Sequence, residues 1–477
     1  MNDPVVHTKP DERVVVYLAT RNLYDDLPAA FSSLLAHTQV DHVYLLIDDD
    51  RPPFRLPENV SCVNVSGQTF FDPDGPNYRT KFTYMALMKA ALSKIFPDLE
   101  KCLVLDVDTI VHVDISSLWA VNMENSFFAA VQEPRMSKAK GYPYFNFGVV
   151  MLNLQFLRET GVDDEIISAL NRHKYTYPEQ DAFAIICGHN RVTLLPDYNV
   201  TKVGSNCTGE PEHLYISHFT TLQNWCNIQI VQRYTLAYND QPRYVCYMGN
   251  RKYYPMLITA AKSLLSHSPV DRIFLLIEDD TFPEPLPSVF ECINVSRQDI
   301  FPLDGPNIHP HYTYMTAMRA ALTKILPGYV DRVLLLDPDT VVMNDISAIW
   351  NYDITGYYFA AVQETRNNDH EKKPYYNAGA MLMNLHAMRI TGMDDKIIRE
   401  MNTTHYKHIE QDVLNFLCAP YILDLPSHYN ASFVSDPCRY PKIMHFLSFS
   451  KKFLAEAQAP YVNKPWDQIQ FAQEVNT

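Results

Sequence analysis

The sequence predicts an α/β protein made of two tandem domains, each with a mixed, mostly parallel sheet. Three observations point there. The 477-residue chain repeats itself once, with a period of 230–231 residues. Within each copy, apolar strand patterns alternate with helical ones. Each copy also carries one strand pattern that ends in two carboxylates, LVLDVDTIV at Leu103–Val111 and LLLDPDTVV at Leu334–Val342.

The repeat comes first. Asp106 and Asp337 lie 231 residues apart, as do Asn146 and Asn377, and Gln180 and Gln411. DGPN recurs at Asp74–Asn77 and Asp304–Asn307, and TYMALMKAALSKIFP matches TYMTAMRAALTKILP, both 230 apart. So long a period excludes solenoids and propellers, and each copy is the size of a large single domain. The chain is therefore divided at 1–235 and 236–477. The join, Asn227–Pro242, holds no long flexible linker. The copies are expected to pack as an intramolecular counterpart of a homodimer.

Copy 1 opens with a β-branched strand, RVVVYLAT, then a helix pattern, LPAAFSSLLAH, then a second strand, HVYLLID. Copy 2 repeats this as RYVCYMGN, PMLITAAKSLLSH and RIFLLIED. Strand, helix, strand predicts crossover units and parallel pairing. A short strand (SCVNVS, ECINVS), a Pro/Gly loop and a helix over TYMALMKAALSKIF or TYMTAMRAALTKIL lead to the carboxylate strand.

Composition excludes several classes. The chain is 47% hydrophobic and 12% aromatic, which argues against disorder. Forty basic against 55 acidic residues give a net charge of −15, so no nucleic-acid partner is expected. No run of eighteen apolar residues marks a membrane span, and the opening residues show no signal pattern. Nine scattered cysteines suit reduced thiols. A cytoplasmic protein is expected, with sequons such as Asn199–Thr201 unused.

In open α/β sheets, ligands bind beyond the carboxyl ends of strands. Two carboxylates there can converge on one hard cation, Mg²⁺ or Mn²⁺, which in turn neutralises a diphosphate. The competing reading is an ordinary turn, where Asp is common. A third ligand is offered by His218 in YISHFTTLQNW and by His445 in IMHFLSFSKKF, and imidazole favours Mn²⁺.

The order of motifs resembles glycosyltransferase family 8, the glycogenin and bacterial galactosyltransferase-like enzymes of GT-A fold. The likeness covers nearly all of each copy. It runs from the opening strand, through a basic residue before Asp-x-Asp, an Asn-x-Gly strand start, an acid-Gln-Asp helix start and an L-P-x-x-Y-N-like segment, to a closing His-Phe. It implies a retaining transferase with Mn²⁺, or Mg²⁺ as second choice, and a UDP-sugar donor, UDP-glucose or UDP-galactose. The acceptor, a glycan, a protein or a small molecule, is not named by the sequence. Carried over by position, Asp106, Asp108 and His218 bind metal in copy 1, and Asp337, Asp339 and His445 in copy 2. Lys89 and Arg319 contact donor sugar or phosphate. Glu133 and Glu364 stand where the family has an Asp on the sugar hydroxyls, and Asn146 and Asn377 at its sugar-binding Asn. Glu179-Gln180 and Glu410-Gln411 fall on its catalytic Asp-Gln pair. An amide is a poor nucleophile, so Gln180 and Gln411 would only support the cation-like sugar; capping a helix is the competing role. Asn250 takes the family's opening-turn Asn in copy 2, with Arg21 there in copy 1. Lys451 follows His445 by six residues as the diphosphate Lys, and copy 1 has Asn224 instead. Copy 2 is thus the more family-like.

Two other classes compete. One is a binding module that holds a nucleotide sugar or glycan without transfer. The other is a nucleotidyltransferase, which would need a Gly-rich loop that ATRNLYDDL and MGNRKYYP do not supply.

Overall fold

Strand β1 (Val14–Ala19) is buried at every position. An apolar, β-branched run suits a central strand covered on both faces. Its side chains alternate between two cores: Val14, Val16 and Leu18 face one, and Val15, Tyr17 and Ala19 the other. In this computed structural model the described residues are 3–201, 214–220, 228–308, 313–366, 374–447, 451–469 and 471–472. Of Gln229, Lys451 and Lys452 only the backbone is described. The chain divides into two compact units, Met1–Tyr238 and Asn239–Thr477.

In the first unit, β2 (His42–Ile47), β3 (Val60–Asn64) and β4 (Lys101–Leu105) follow β1. β5 (Thr109–Val111) is short; β6 (Phe128–Gln132), β7 (Phe145–Asn153) and β8 (Arg191–Leu194) complete the main sheet. Its order is β3-β2-β1-β4-β7-β6-β8. The pairs β3/β2, β2/β1, β1/β4 and β6/β8 are parallel, while β7 runs antiparallel to both neighbours. β9 (Val200–Thr201) and β10 (Ile216–His218) form a second small sheet with β5.

The second unit repeats the plan with β11 (Tyr244–Met248), β12 (Arg272–Ile277), β13 (Phe290–Asn294), β14 (Arg332–Leu336), β15 (Thr340–Val342), β16 (Phe359–Gln363), β17 (Tyr376–Asn384), β18 (Ile422–Asp424) and β19 (Ile443–His445). Its main sheet runs β13-β12-β11-β14-β17-β16-β18, and β15 pairs with β19.

The first helices, Leu27–His37 and Tyr254–His267, fall where the pattern put them. The helix before each carboxylate strand is not continuous. It runs Thr83–Leu87, tightens to a 3₁₀ turn at Met88–Ala91, and resumes at Leu92–Ile95. Copy 2 breaks in the same way at Met318–Ala321. Ala91 leaves helical dihedrals (φ −97°, ψ 0°), which ends the regular ladder. A mid-helix 3₁₀ turn commonly marks a functional site, and these turns carry Lys89 and Arg319. Among the described residues, no helix is long and apolar enough to cross a membrane.

Candidate active site

Each carboxylate pair sits where the central strand leaves the sheet. The Asp106 N–H donates to the Gly148 carbonyl at 2.8 Å, the last rung between β4 and β7. The chain then turns, and Thr109 Oγ1 donates back to the Asp106 carbonyl at 2.7 Å. β5 starts there and pairs antiparallel with β10, with Thr109 opposite His218. The Phe219 N–H donates to the Asp108 carbonyl at 2.8 Å. This pairing sets His218 Nε2 3.3 Å from Asp108 Oδ1 and 3.7 Å from Asp106 Oδ2. Copy 2 builds the same hook from β15 and β19, with Thr340 opposite His445. His445 Nε2 lies 3.3 Å from Asp339 Oδ1 and 3.6 Å from Asp337 Oδ2.

In each cluster, one donor atom from each residue lies within 4.8 Å of the others. Two carboxylates and an imidazole suit a divalent cation. A cradle supports the fit. A Cβ added at Gly148 would stand 2.0 Å from His218 Cε1, and one at Gly379 would meet His445 Cε1 at the same distance. The imidazole lies directly against the strand backbone, so only glycine leaves it room.

The rings are also oriented from behind. Asn199 Oδ1 lies 3.0 Å from His218 Nδ1, and Asn199 Nδ2 donates to Asn146 Oδ1 at 3.0 Å. Asn146 Oδ1 accepts a second bond from the Gly148 N–H at 2.9 Å. That amide fixes the polarity of the relay: Asn146 accepts, Asn199 accepts from Nδ1–H, and Nε2 presents its lone pair to the cluster. Copy 2 repeats it through Asn377, Asn430 and His445. Asn146 and Asn377, assigned to the sugar by resemblance, thus spend their Oδ1 on the histidine relay. Asn199 and Asn430 had no role in the sequence reading. The signal was present in LPDYN and LPSHYN, and as a sequon Asn199 pointed elsewhere; it is in fact buried.

Lys89 is buried and donates from Nζ to Asp106 Oδ1 at 2.7 Å and to the Phe147 carbonyl at 2.9 Å. Burial opposes its charge, but Asp106 and Glu179 outweigh burial and raise its pKa. Arg319 pairs with Asp337 and, through Nη1, with Glu410 Oε1 at 3.1 Å. Each cation therefore takes Oδ1 of the first aspartate and leaves Oδ2 facing the histidine. Burial drives the Asp108 and Asp337 carboxyls above their usual range. Burial also lowers the histidines' affinity for a proton, but the facing aspartates reverse this and raise both imidazoles. A cation would replace that proton.

Gln180 and Gln411 point back at the sheet. Their Oε1 atoms accept the N–H of Phe147 at 2.7 Å and of Ala378 at 2.8 Å. Gln411 Nε2 reaches Glu364 Oε1 at 3.2 Å and Tyr375 Oη at 3.1 Å. Glu364 is buried and also accepts from Asn377 Nδ2 at 2.8 Å. Glu133, its counterpart, is half-buried and joins no such network among the described residues. Glu179 and Glu410 are buried. Burial, opposed by Lys89, raises Glu179; burial, opposed by Arg319, pushes Glu410 up to about 7.

Asn250 caps the turn Arg251–Tyr253, accepting the Lys252 N–H at 3.1 Å. Arg21 is not its counterpart. Arg21 pairs with Asp49 as Arg251 pairs with Asp279, each 28 residues on, so Arg21 matches Arg251 and Thr20 matches Asn250. The Lys451 side chain and Asn224 lie outside the described residues.

A mixed sheet of this order with an Asp-x-Asp and histidine at its carboxyl edge defines a GT-A-type sugar-nucleotide transferase fold, present twice. The family profile described as glycosyl transferase family 8 matches residues 53–226 and 244–451, and the chain belongs to that family. It is 25% identical over 213 residues to a Haemophilus influenzae relative, covering 40% of this chain and 64% of that one. It is 26% identical over 203 residues to glycosyltransferase GlyE of Streptococcus pneumoniae, covering 39% and 47%. Each match spans less than two thirds of the relative. The crystal structure of GlyE is similar at 22% identity and TM-score 0.38, covering 48% of this chain and 62% of that one.

Proposed function

We propose that the chain is a metal-dependent glycosyltransferase that moves a hexose from a UDP-sugar to an acceptor with retention, with one site per unit. The observation that carries this reading is the duplicated Asp, Asp, His cluster with its glycine cradle and asparagine relay. A bound Mn²⁺ would supply charge neutralisation to the leaving diphosphate. The chain's residues prepare that event. Lys89 and Arg319 pin one oxygen of the first aspartate, and the relay holds the neutral ring's proton on Nδ1 and aims Nε2 inward.

Retention by double displacement needs a free carboxylate nucleophile. Glu410 is engaged with Arg319, Glu179 is buried beside Lys89, and the Gln oxygens are bonded to strand amides. This supports attack by the acceptor hydroxyl on the face from which the diphosphate departs, its proton passing to a phosphate oxygen. Seven free cysteines among the described residues support a reducing compartment, the cytoplasm; recovery of the native protein with those thiols oxidised would contradict it.

The test is UDP release from a panel of UDP- and GDP-sugars with Mn²⁺, in wild type, Asp106→Ala/Asp108→Ala and Asp337→Ala/Asp339→Ala. We expect each double variant to lose its own site's share by roughly a hundredfold or more. No release from any donor, with acceptors supplied and nucleotide still bound, would leave a binding module instead.

A further inference from the structure

Helix Tyr254–His267 carries a lysine that copy 1 lacks. Ser33 and Ser263 correspond: each accepts a strand N–H, from Val111 and Val342, and donates to the carbonyl three residues back. The residue before them is Ser32 in copy 1 and Lys262 in copy 2. The fold therefore does not require an ammonium here. Yet Lys262 is only 8% exposed. Its Nζ donates to the Lys464 carbonyl and stands 5.0 Å from the Trp466 ring centre. Among the described residues it forms no ion pair. A buried ammonium with one carbonyl partner has two donors left, and Glu284 favours its charge without an ion pair to it.

Lys262 lines a cleft of about 1430 Å³, walled by its own helix, the loop after β12 and residues Val462–Trp466. Phe282, Val462 and Pro465 give the cleft apolar surface, and Asp280, Glu284 and Asn463 line it with hydrogen-bonding groups. Arg251 also lines it, but Asp279 holds its guanidinium. We infer that this cleft binds a hydroxylated small molecule with one anionic group, an acidic sugar or a sugar phosphate, whose anion pairs with Lys262. Asp280 and Glu284 accept hydroxyls and turn away polyanions, while the apolar wall takes the ring. Burial lowers the lysine's pKa and Glu284 opposes this; an anion beside it would further favour the charged form.

The experiment is calorimetric titration of the full chain in chelator, so that the Asp, Asp, His clusters hold no metal. The probes are glucuronic acid, glucose 6-phosphate and glucose. At least one anion is expected to bind about tenfold or more tighter than glucose; which one distinguishes carboxylate from phosphate. Lys262→Ser, the residue of copy 1, and Lys262→Met, which keeps the stem, should each lose about tenfold or more, with an unchanged thermal unfolding midpoint or a higher one. The Asp106→Ala/Asp108→Ala and Asp337→Ala/Asp339→Ala variants should bind as wild type. No binding of either anion at millimolar concentration, or binding unchanged in both lysine variants, overturns the inference. Loss in the aspartate variants would instead assign the heat to the clusters.

Discussion

The two units hold the first aspartate of their pairs with different cations. In copy 1, Lys89 divides its protons between Asp106 and a backbone carbonyl, and the Asp106 side chain stays 36% exposed. In copy 2, the Arg319 fork joins Asp337 to Glu410, and Asp337 is 14% exposed. Glu364 extends that network through Asn377 and Gln411, whereas Glu133 stands apart. An ammonium is a point charge that a carbonyl satisfies; a planar guanidinium bridges two carboxylates. One scaffold thus carries a first aspartate that is open and lightly tied in copy 1 and enclosed and interlocked in copy 2. Similarity to the family favoured copy 2, but interlocking and activity are separate properties.

The comparison can be broken most forcefully at the glycines. Gly148→Ala and Gly379→Ala should each displace the local histidine and lower cation affinity at that copy alone, by about tenfold or more. They should also cost about 1–3 kcal/mol of stability through overpacking. Mn²⁺ titration followed by electron paramagnetic resonance, with a urea melt, reads both. Equal loss at the two copies from one substitution would contradict independent sites.

Asn199→Ala and Asn430→Ala remove the bond that orients each imidazole. We expect about a 10–100-fold loss of cation affinity at the altered copy, with folding largely kept. Arg319→Lys makes copy 2 resemble copy 1. Glu410 then loses its fork partner in a buried setting, and destabilisation of about 1–3 kcal/mol is expected. The reverse change, Lys89→Arg, should not recover that amount, because Asp106 lies in a more open setting.

The smallest effect concerns pH. Glu410 moves from an ordinary value of 4.5 to about 7 on folding, driven by burial. The folded state therefore holds its proton more tightly. Its contribution to stability is complete below about pH 4.5 and is lost as pH rises to about 7. Glu410→Gln should flatten the urea midpoint across that window in chelator. An unchanged slope would show that other groups set it.

Much of this was readable along the chain. The duplication, the strand-helix alternation, both Asp-x-Asp pairs and both His-Phe ends are local patterns, and the structure brings each Asp pair together with its histidine. The support behind them was not readable. Asn199 meets Asn146 across 53 residues, and Asn430 meets Asn377 across the same distance. Asn-x-Gly was seen as a motif, but only packing shows that its glycine makes room for a ring. The 3₁₀ turn at Met88–Ala91 was hidden because its residues favour helix. Arg21 was set against Asn250 by motif, and only its Asp49 partner revealed the register.

The histidine arrives from far along each unit. Asp108 and His218, like Asp339 and His445, are more than a hundred residues apart in the chain. A cation gripping both works as a reversible cross-link, closing a long loop in addition to any chemistry it supports. Ligand that binds only the folded state raises the melting temperature with concentration. Mn²⁺ should thus write its occupancy into the thermal melt, and two loading steps in that curve would count the working clusters without any substrate.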